Sequence, residues 1–450
     1  MTIDSAAMAR QIAERIAEKG GRVWFVGGCV RDGLLGRKSK DLDLEVHGTT
    51  PETLLAVLEE LGEPIAMGAS FGIYGLKGYD LDLSLPRAEN WGGKQDIGSH
   101  VAPFIGEEAA ARRRDFTVNA MMQDVLTGEI VDYFGGAADL QAGVLRHVEE
   151  TTFVEDPLRV FRAAQFAARF GFSVAEETMT LCSRLDVSRL PGERVFAELQ
   201  KVLLQAQKPS VFFQILREMG QLMPWFAEVQ ALIGVEQDKR HHPEGDVWNH
   251  TMAVLDAAAS LRQEASCPLY LMLSALCHDF GKPFATQIEG DRIRALGHEE
   301  AGLAPTETFL RRITGEVKLQ RYVQNMVLLH MRPNLLAAQK SGAKAMCTLF
   351  DRSVCPEDLL LLARADYFGK GNACEYEQTE QFLHGALHLF HHRMAQPCVT
   401  GADLVQAGFS PGERFGEALA FAHKLRLAGV EKTSALKQTV AYLRSAEKNG

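Results

Sequence analysis

The sequence predicts an α+β chain, with a mixed sheet and covering helices in about the first 140 residues and helices thereafter. Three observations predict it. Short alternating or β-branched runs closed by glycines recur up to Leu85, apolar residues fall at helical spacing from about Leu140 onward, and no fixed-period repeat or low-complexity linker separates the two regimes. In order, the amphipathic stretch Ala6 to Lys19 predicts a first helix, and Arg22-Val-Trp-Phe-Val a strand closed by Gly27-Gly28. Asp41-Leu-Asp-Leu-Glu-Val alternates with period two, as a half-buried strand does. Pro51 to Leu61 reads as a helix with Thr50 as cap and Pro51 at its first position. Gly72–Leu76 and Tyr79–Leu85 read as two more strands. Glu155–Phe170 and Glu193–Leu204 then read as helices. The expected organisation is a sheet domain (1–140), a helical neck and body (141–235), a His-rich helical domain (236–390) and a small helical tail (391–450).

The 450 residues are 46% apolar and 24% charged, an ordinary globular composition with room for several cores. With 48 Lys and Arg against 58 Asp and Glu, the net charge is −10. That excludes coating nucleic acid by bulk charge but not a local basic groove. Eight scattered cysteines form no CxxC pair, which argues against a disulfide scaffold or a thiolate zinc site and makes a reducing cytoplasm the expected setting. The longest central apolar stretch, Leu269 to Cys277, is about half of what a bilayer crossing needs, and the start of the chain has no apolar signal core, so no membrane role is expected.

On a strand, Asp41 and Asp43 project to one face. Two carboxylates so placed suit divalent cations, which activate an attacking oxygen and neutralise a leaving pyrophosphate. A turn beside a solvated strand face would give the same short motif. Upstream, the Gly27-Gly28 turn leaves backbone amides open to a triphosphate, and Arg31 follows to grip it. The second alternating strand supplies Asp80 and Asp82, of which Asp82 is the choice for a third carboxylate. Arg112-Arg113-Arg114-Asp115, with Asn119, suits phosphate and ribose hydroxyls; the alternative is the solvated basic face of a helix N-terminus.

Gly27-Gly-Cys-Val-Arg-Asp32, Asp41-Leu-Asp43 and Arg113-Arg-Asp-Phe-Thr-Val-Asn-Ala120 together resemble the head of the class II tRNA nucleotidyltransferase and bacterial poly(A) polymerase family, a branch of the polymerase-β-like nucleotidyltransferases. Asp132-Tyr-Phe-Gly-Gly, Gly143-Val-Leu-Arg146, Glu155-Asp-Pro-Leu-Arg159 and Glu193-Arg194 with Glu198 resemble its hinge and neck motifs in order. The resemblance implies template-independent addition of C and A from CTP and ATP to tRNA 3′ ends, with Mg²⁺ held by Asp41 and Asp43. Polyadenylation, or addition of only CC or only A, shares these motifs. It further implies that Gly28, Arg31, Arg113, Arg114, Asp115 and Asn119 bind the nucleotide, and that Asp156 and Arg159, expected on one helix face, read the base. Arg162 joins them, whereas Gln165 stands where the family commonly has an arginine.

His278-Asp279 closes an apolar helix that Gly281-Lys282-Pro283 breaks. Adjacent helix residues point about 100° apart, so this pair clasps a metal only with ligands from other helices, and His250 and Asp366 suit that role. His298 and His330 offer a second ion's ligands or a phosphate contact. The set resembles an HD-domain phosphohydrolase, and His242-Pro-Glu-Gly-Asp-Val-Trp-Asn-His250 the version fused to tRNA nucleotidyltransferases; this implies metal-dependent hydrolysis of phosphate monoesters or 2′,3′-cyclic phosphates. Thr400-Gly-Ala-Asp-Leu404 resembles the fused family's C-terminal motif, with a helix start open to RNA phosphates or to plain packing. A different class remains open: an RNA-binding or regulatory protein in which only the HD site hydrolyses.

Overall fold

The computed structural model describes residues 4–37, 42–68, 72–89, 99–238, 240, 242–290, 292–371, 376–412 and 414–448. The chain forms two compact units, Met1–Leu190 with Glu218–Gln221, and Pro191–Arg217 with Leu222–Gly450. The α+β expectation holds.

In the first unit, β1 (Arg22–Val26), β2 (Leu42–His47), β3 (Pro64–Gly68), β4 (Ile73–Leu76) and β5 (Leu81–Ser84) precede a separate antiparallel pair, β6 (Arg87–Glu89) and β7 (Ser99–Val101). With β8 (Met122–Asp124) and β9 (Ile130–Val131) the first five complete a seven-stranded mixed sheet in the order β3-β4-β5-β2-β1-β8-β9. β2 runs antiparallel to β1 and parallel to β5, in a register that sets Asp43 beside Asp82. Period-two alternation sorts the two faces. Val23, Leu44, Val46, Leu81 and Leu83 pack with Ile12, Ile16, Leu54 and Leu58 of the helices Ser5–Glu18 and Pro51–Leu61. Asp43, Glu45 and Asp82 therefore fall on the opposite face, which also carries Trp24 and Val26. Leu44 is fully buried, and Leu44→Ala would cost about 2–5 kcal/mol and loosen the strand that carries the acids.

Three local expectations are corrected. The helix expected from Glu155 begins at Leu158, because Pro157 introduces it and Asp156 Oδ1 accepts from the Leu158 amide at 3.1 Å. The neck is not wholly helical, since Val144–Leu145 pairs in parallel with Ser173–Val174. The His-rich region includes an antiparallel pair, Gln287–Glu289 with Arg292–Arg294. Strands this short carry too few residues for a period to register.

The second unit is built of helices around edge-on aromatics, among them Phe212, Phe213 and Phe226 with ring centroids 5.1–5.6 Å apart. Helices Val247–Leu261, Pro268–Cys277, Val317–Leu329 and Pro356–Gly369 bring the histidines and acids together. The tail has its own small core around Leu404, Ala418 and Leu443. Its helix Gly401–Gln406 opens with a capping box in which Thr400 and Asp403 satisfy each other's amides, so those donors are spent within the chain. Among the described residues, no helix is long and apolar enough to cross a membrane.

Candidate functional site

Asp41 lies outside the described residues. Asp43 is half-buried on β2 and Asp82 exposed on β5, adjacent in the parallel register. Above them the chain turns at Gly27, whose φ of 67° suits glycine; a Cβ there would lie 3.3 Å from Arg114 Nη1 and 3.8 Å from Asp43 Oδ2. Gly28 then opens the helix Gly28–Leu34. The result is a bare cradle with a carboxylate on one side and a guanidinium on the other, and this donor set fits a divalent ion beside a polyphosphate.

Glu45, which the sequence reasoning passed over, holds this side in place. It is buried, accepts from Arg114 Nη2 at 2.9 Å, and lies 2.9 Å from His47 Nε2. Burial would raise its carboxyl, but Arg114 and His47 hold it below the usual range. Its signal was present in the sequence, since Glu45 continues the alternation that selected Asp43.

Arg31 is only 4% exposed; Nη1 donates to Asn119 Oδ1 at 2.7 Å, Nε and Nη2 donate to Asp32, and the guanidinium lies 4.3 Å over the Phe170 ring. Asn119 in turn donates to Asp115 Oδ1 at 3.0 Å, and Arg162 donates to Asp115 Oδ2 at 2.6 Å. Four expected nucleotide-binding residues thus form one connected chain, buried at Arg31, Asn119 and Asp115 and partly exposed at Arg162. Arg113 pairs with Glu155 at 3.5 Å. The arginine run closes the helix Glu107–Arg112 rather than opening one. Arg159 donates to the main-chain oxygens of Thr152 and, at 2.6 Å, of Arg113. Asp156 precedes the helix that carries Arg159 instead of lying within it as expected, and its charge still acts on the Arg159 guanidinium. Gln165 is buried, and turned with its oxygen toward Arg169 it accepts from Nη1 at 2.8 Å.

In the second unit His250, His278, Asp279, His298, His330 and Asp366 are all buried and converge. Asp279 is central: Oδ2 lies 3.2 Å from His278 Nε2 and 3.7 Å from His250 Nε2, and Oδ1 lies 3.4 Å from His298 Nε2 and 3.9 Å from His330 Nε2. His250 Nε2 is 3.0 Å from Asp366 Oδ1. His278, His298 and His330 turn Nδ1 to the carbonyls of Ala275, Ala295 and Val327 at 2.7–2.8 Å, which fixes the tautomer and aims each Nε2 lone pair inward. His250 is held instead by Glu244 Oε1, 2.7 Å from Nδ1. Gly281 makes room for this turn, because a Cβ there would overlap the His298 carbonyl oxygen.

Burial and the neighbouring imidazoles push His330 down to about 3. Burial opposes charge on Asp279, yet His278, Lys282 and His250 hold it well below the carboxylate range. His278 Nε2 and Asp279 Oδ2 have no hydrogen-bond partner, although Lys282 Nζ lies 2.7 Å from Asp279 Oδ2 as a charge contact. Orphaned buried donor atoms of this kind are the vacancies a divalent ion satisfies, so the cluster fits one. Lys282, Lys370 (3.3 Å from Asp366 Oδ2) and Glu244 were not singled out from the sequence, although Lys282 and Lys370 stand at helical spacing from Asp279 and Asp366. A cavity of about 380 Å³ opens from the cluster, with Asp279, His298, Asp366, Lys282 and Lys370 at its floor and Leu296, 81% exposed, on its wall.

Residues 23–146 match the Poly A polymerase head domain family. A multifunctional CCA protein of Pasteurella multocida (strain Pm70) is 36% identical over 406 residues, 86% of this chain and 92% of its own length. That of Laribacter hongkongensis (strain HLHK9) is 37% identical over 361 residues, 78% and 85% of the two chains. In fold the chain is similar to the Bacillus stearothermophilus CCA-adding enzyme solved in complex with CTP, at TM-score 0.71 and 20% identity over 99% of this chain and 100% of that one. It is also similar to the Thermotoga maritima CCA-adding enzyme complexed with tRNA, at TM-score 0.64 and 19% identity over 97% and 95%. With relatives of this identity spanning most of both lengths, and with the carboxylate strand and glycine turn of a nucleotidyltransferase head, the chain belongs to the multifunctional CCA protein family.

Proposed function

We propose that the chain extends tRNA 3′ ends with C and A from CTP and ATP in its head (1–140), reads the base with its neck and body (141–235), and hydrolyses phosphate esters in its HD domain (236–390), in a cytoplasmic setting. The observation that carries the first activity is the placement of Asp43 and Asp82 at one register beneath the Gly27 turn, with Arg114 beside it. Asp41 and Asp43, with Asp82 across the ladder, would hold Mg²⁺. When bound, the ions lower the pKa of the RNA 3′ hydroxyl and stabilise the leaving pyrophosphate.

The rest of the work falls to the chain's own groups. The amides after Gly27 and the Arg114 guanidinium receive the triphosphate, and Glu45 keeps Arg114 aimed there. The Arg31–Asn119–Asp115–Arg162 chain forms a rigid wall for ribose and phosphate. Asp156 offers a carboxylate to an exocyclic amine and Arg159 a guanidinium to ring acceptors, which matches cytosine and adenine and disfavours the carbonyl edge of uracil.

In the HD domain His250, His278, Asp279 and Asp366 would hold one divalent ion, and His298 and His330 would share Asp279 with a second. An ion there supplies a polarised phosphoester and an activated water. Lys282 and Lys370 supply positive charge for the phosphate. Hydrolysis consumes one water, breaks one P–O ester bond and leaves a hydroxyl.

Incubating the protein with tRNA lacking its 3′ end, separately with CTP, with ATP and with both, tests the first activity. CCA forms only with both nucleotides. Asp41→Ala and Asp43→Ala abolish incorporation and leave tRNA binding intact. Long adenylate tails with ATP alone would assign polyadenylation instead, and unchanged incorporation by Asp43→Ala would remove the mechanism.

A further inference from the structure

Two cavities of the second unit share one short helix, Arg332–Ala338. Met331 and Leu335, four residues apart, line the cavity over the His/Asp cluster. Arg332 and Leu336, each one position on, line a second cavity of about 600 Å³ whose far wall is the helix Ala343–Arg352. The two cavities therefore lie on neighbouring faces of one helix, about 100° apart around its axis.

The second cavity is basic in an acidic chain. Arg332, Lys344 and Arg352 rim it, and Leu336, Ala345 and Leu349 form its apolar lining. Between residues 332 and 352 the cations Arg332, Lys340, Lys344 and Arg352 face a single acid, Asp351, which is taken by His423 at 2.8 Å. Among the described residues no carboxylate pairs with the three rim cations, which are exposed. A small inorganic anion is best held by buried, converging donors. Exposed cations around apolar walls instead suit an extended polyanion with apolar faces, which is the surface of a single RNA strand: phosphates outside, ribose and base faces inside.

Resting on the reading of the HD cluster as a phosphohydrolase, we propose that the Arg332–Lys344–Arg352 cavity anchors the phosphates of an RNA strand whose 3′ terminus enters the HD cavity. The HD substrate is then a phosphorylated RNA end rather than a free mononucleotide. Water adds to the terminal phosphorus and one P–O ester bond breaks, so the strand leaves with a freed hydroxyl.

The test uses the full chain loaded with a divalent ion and two substrates, an RNA oligonucleotide ending in a 2′,3′-cyclic phosphate and a 2′,3′-cyclic mononucleotide. The oligonucleotide is expected to have a KM at least tenfold lower. Replacing all three cations (Arg332→Gln, Lys344→Gln, Arg352→Gln) raises that KM about tenfold and leaves mononucleotide hydrolysis unchanged, which also reports correct folding. Oligonucleotide affinity, read by fluorescence anisotropy against salt without added metal, loses about two units of slope, at ~0.7 per phosphate contact on a single strand. Equal KM for the two substrates, or an unchanged slope in the triple variant, overturns the anchor. Tight binding of inorganic phosphate with an unchanged RNA slope assigns a free-anion site and also overturns it. Hydrolysis of neither substrate by the wild type overturns the phosphohydrolase reading itself, a result distinct from hydrolysis of both at equal KM.

Discussion

His298 Nε2 and His330 Nε2 lie 3.3 Å apart in the interior, while the Nδ1 of each ring is committed to a main-chain carbonyl at 2.7 Å. Two inward lone pairs at that distance repel unless a proton or a cation stands with them. Protonation is disfavoured at His330, which burial and its neighbours push down to about 3. A divalent ion bound between the two imidazoles would relieve that repulsion. Adding such an ion to chelator-treated protein is expected to stabilise the second unit by about 2.7 kcal/mol at a hundredfold excess over Kd. Thermal unfolding followed by calorimetry reads the shift, and Asp279→Ala, which removes the carboxylate common to both halves of the cluster, is expected to abolish it. An identical shift in that variant would place the ion elsewhere.

Glu45 is the counterion that keeps Arg114 beside the Gly27 turn, at 2.9 Å. Glu45→Ala releases Arg114 and leaves a half-buried charge without its carboxylate partner. Nucleotide incorporation is expected to fall at least tenfold, chiefly through a raised KM for CTP and ATP, with tRNA affinity unchanged. Titrating each nucleotide at saturating tRNA separates the two. An unchanged nucleotide KM would mean that Arg114 does not contact the triphosphate.

What the sequence made legible follows from how far each interaction reaches along the chain. Asp43, Glu45 and their strand are written in a local period of two, and Thr50-Pro51 marks its helix start within two residues. His278 with Asp279 was legible because the pair closes an apolar helix, whereas His250 lies within the helix Val247–Leu261 and was legible through its motif. The two main-chain contacts of Arg159, to the carbonyls of Thr152 and Arg113, were illegible because a main-chain acceptor leaves no trace in residue identity. Gln237, which accepts from Lys282 Nζ at 2.5 Å, was illegible for a related reason, as the two stand 45 positions apart with no shared motif. The Asp43–Asp82 adjacency needed the parallel register of β2 and β5, which no local pattern specifies.

Asp115 contributes to the pH dependence of the head, together with Glu45 and Asp124, whose carboxyls are also held low. Burial opposes its ionisation, but the Arg162 guanidinium and the Asn119 amide overcome that and hold its carboxyl below the ordinary value. A folded pKa below the unfolded one means stability that is fully present above the unfolded value, about 3.9, and lost as pH falls toward the folded value. Urea denaturation of the wild type is therefore expected to lose stability as pH drops below about 4, with a part of the slope that Asp115→Asn removes. At pH 7 the same variant costs roughly 3 kcal/mol, because Arg162 loses its counterion and the new amide nitrogen donates where one of the two carboxylate oxygens accepted. A variant with the wild-type acid slope would show that other carboxylates carry it.

Asp156 carries two duties that one pair of substitutions separates. Its Oδ1 caps the helix Leu158–Phe170 by accepting from the Leu158 amide, and its carboxylate is the group assigned to the exocyclic amine of cytosine or adenine. Asn is as good a cap as Asp, whereas Ala caps poorly, at a cost of about 1 kcal/mol. Asp156→Asn is therefore expected to keep wild-type stability but lose base discrimination, because its amide nitrogen donates where the carboxylate accepted; misincorporation of UTP relative to CTP rises about tenfold or more. Asp156→Ala loses discrimination and stability together. Competition between labelled CTP and UTP on tRNA lacking its 3′ end, run beside urea melts, reads both quantities. Retained selectivity in Asp156→Asn, with stability also retained, would confine Asp156 to the helix end and pass base reading to Arg159 alone.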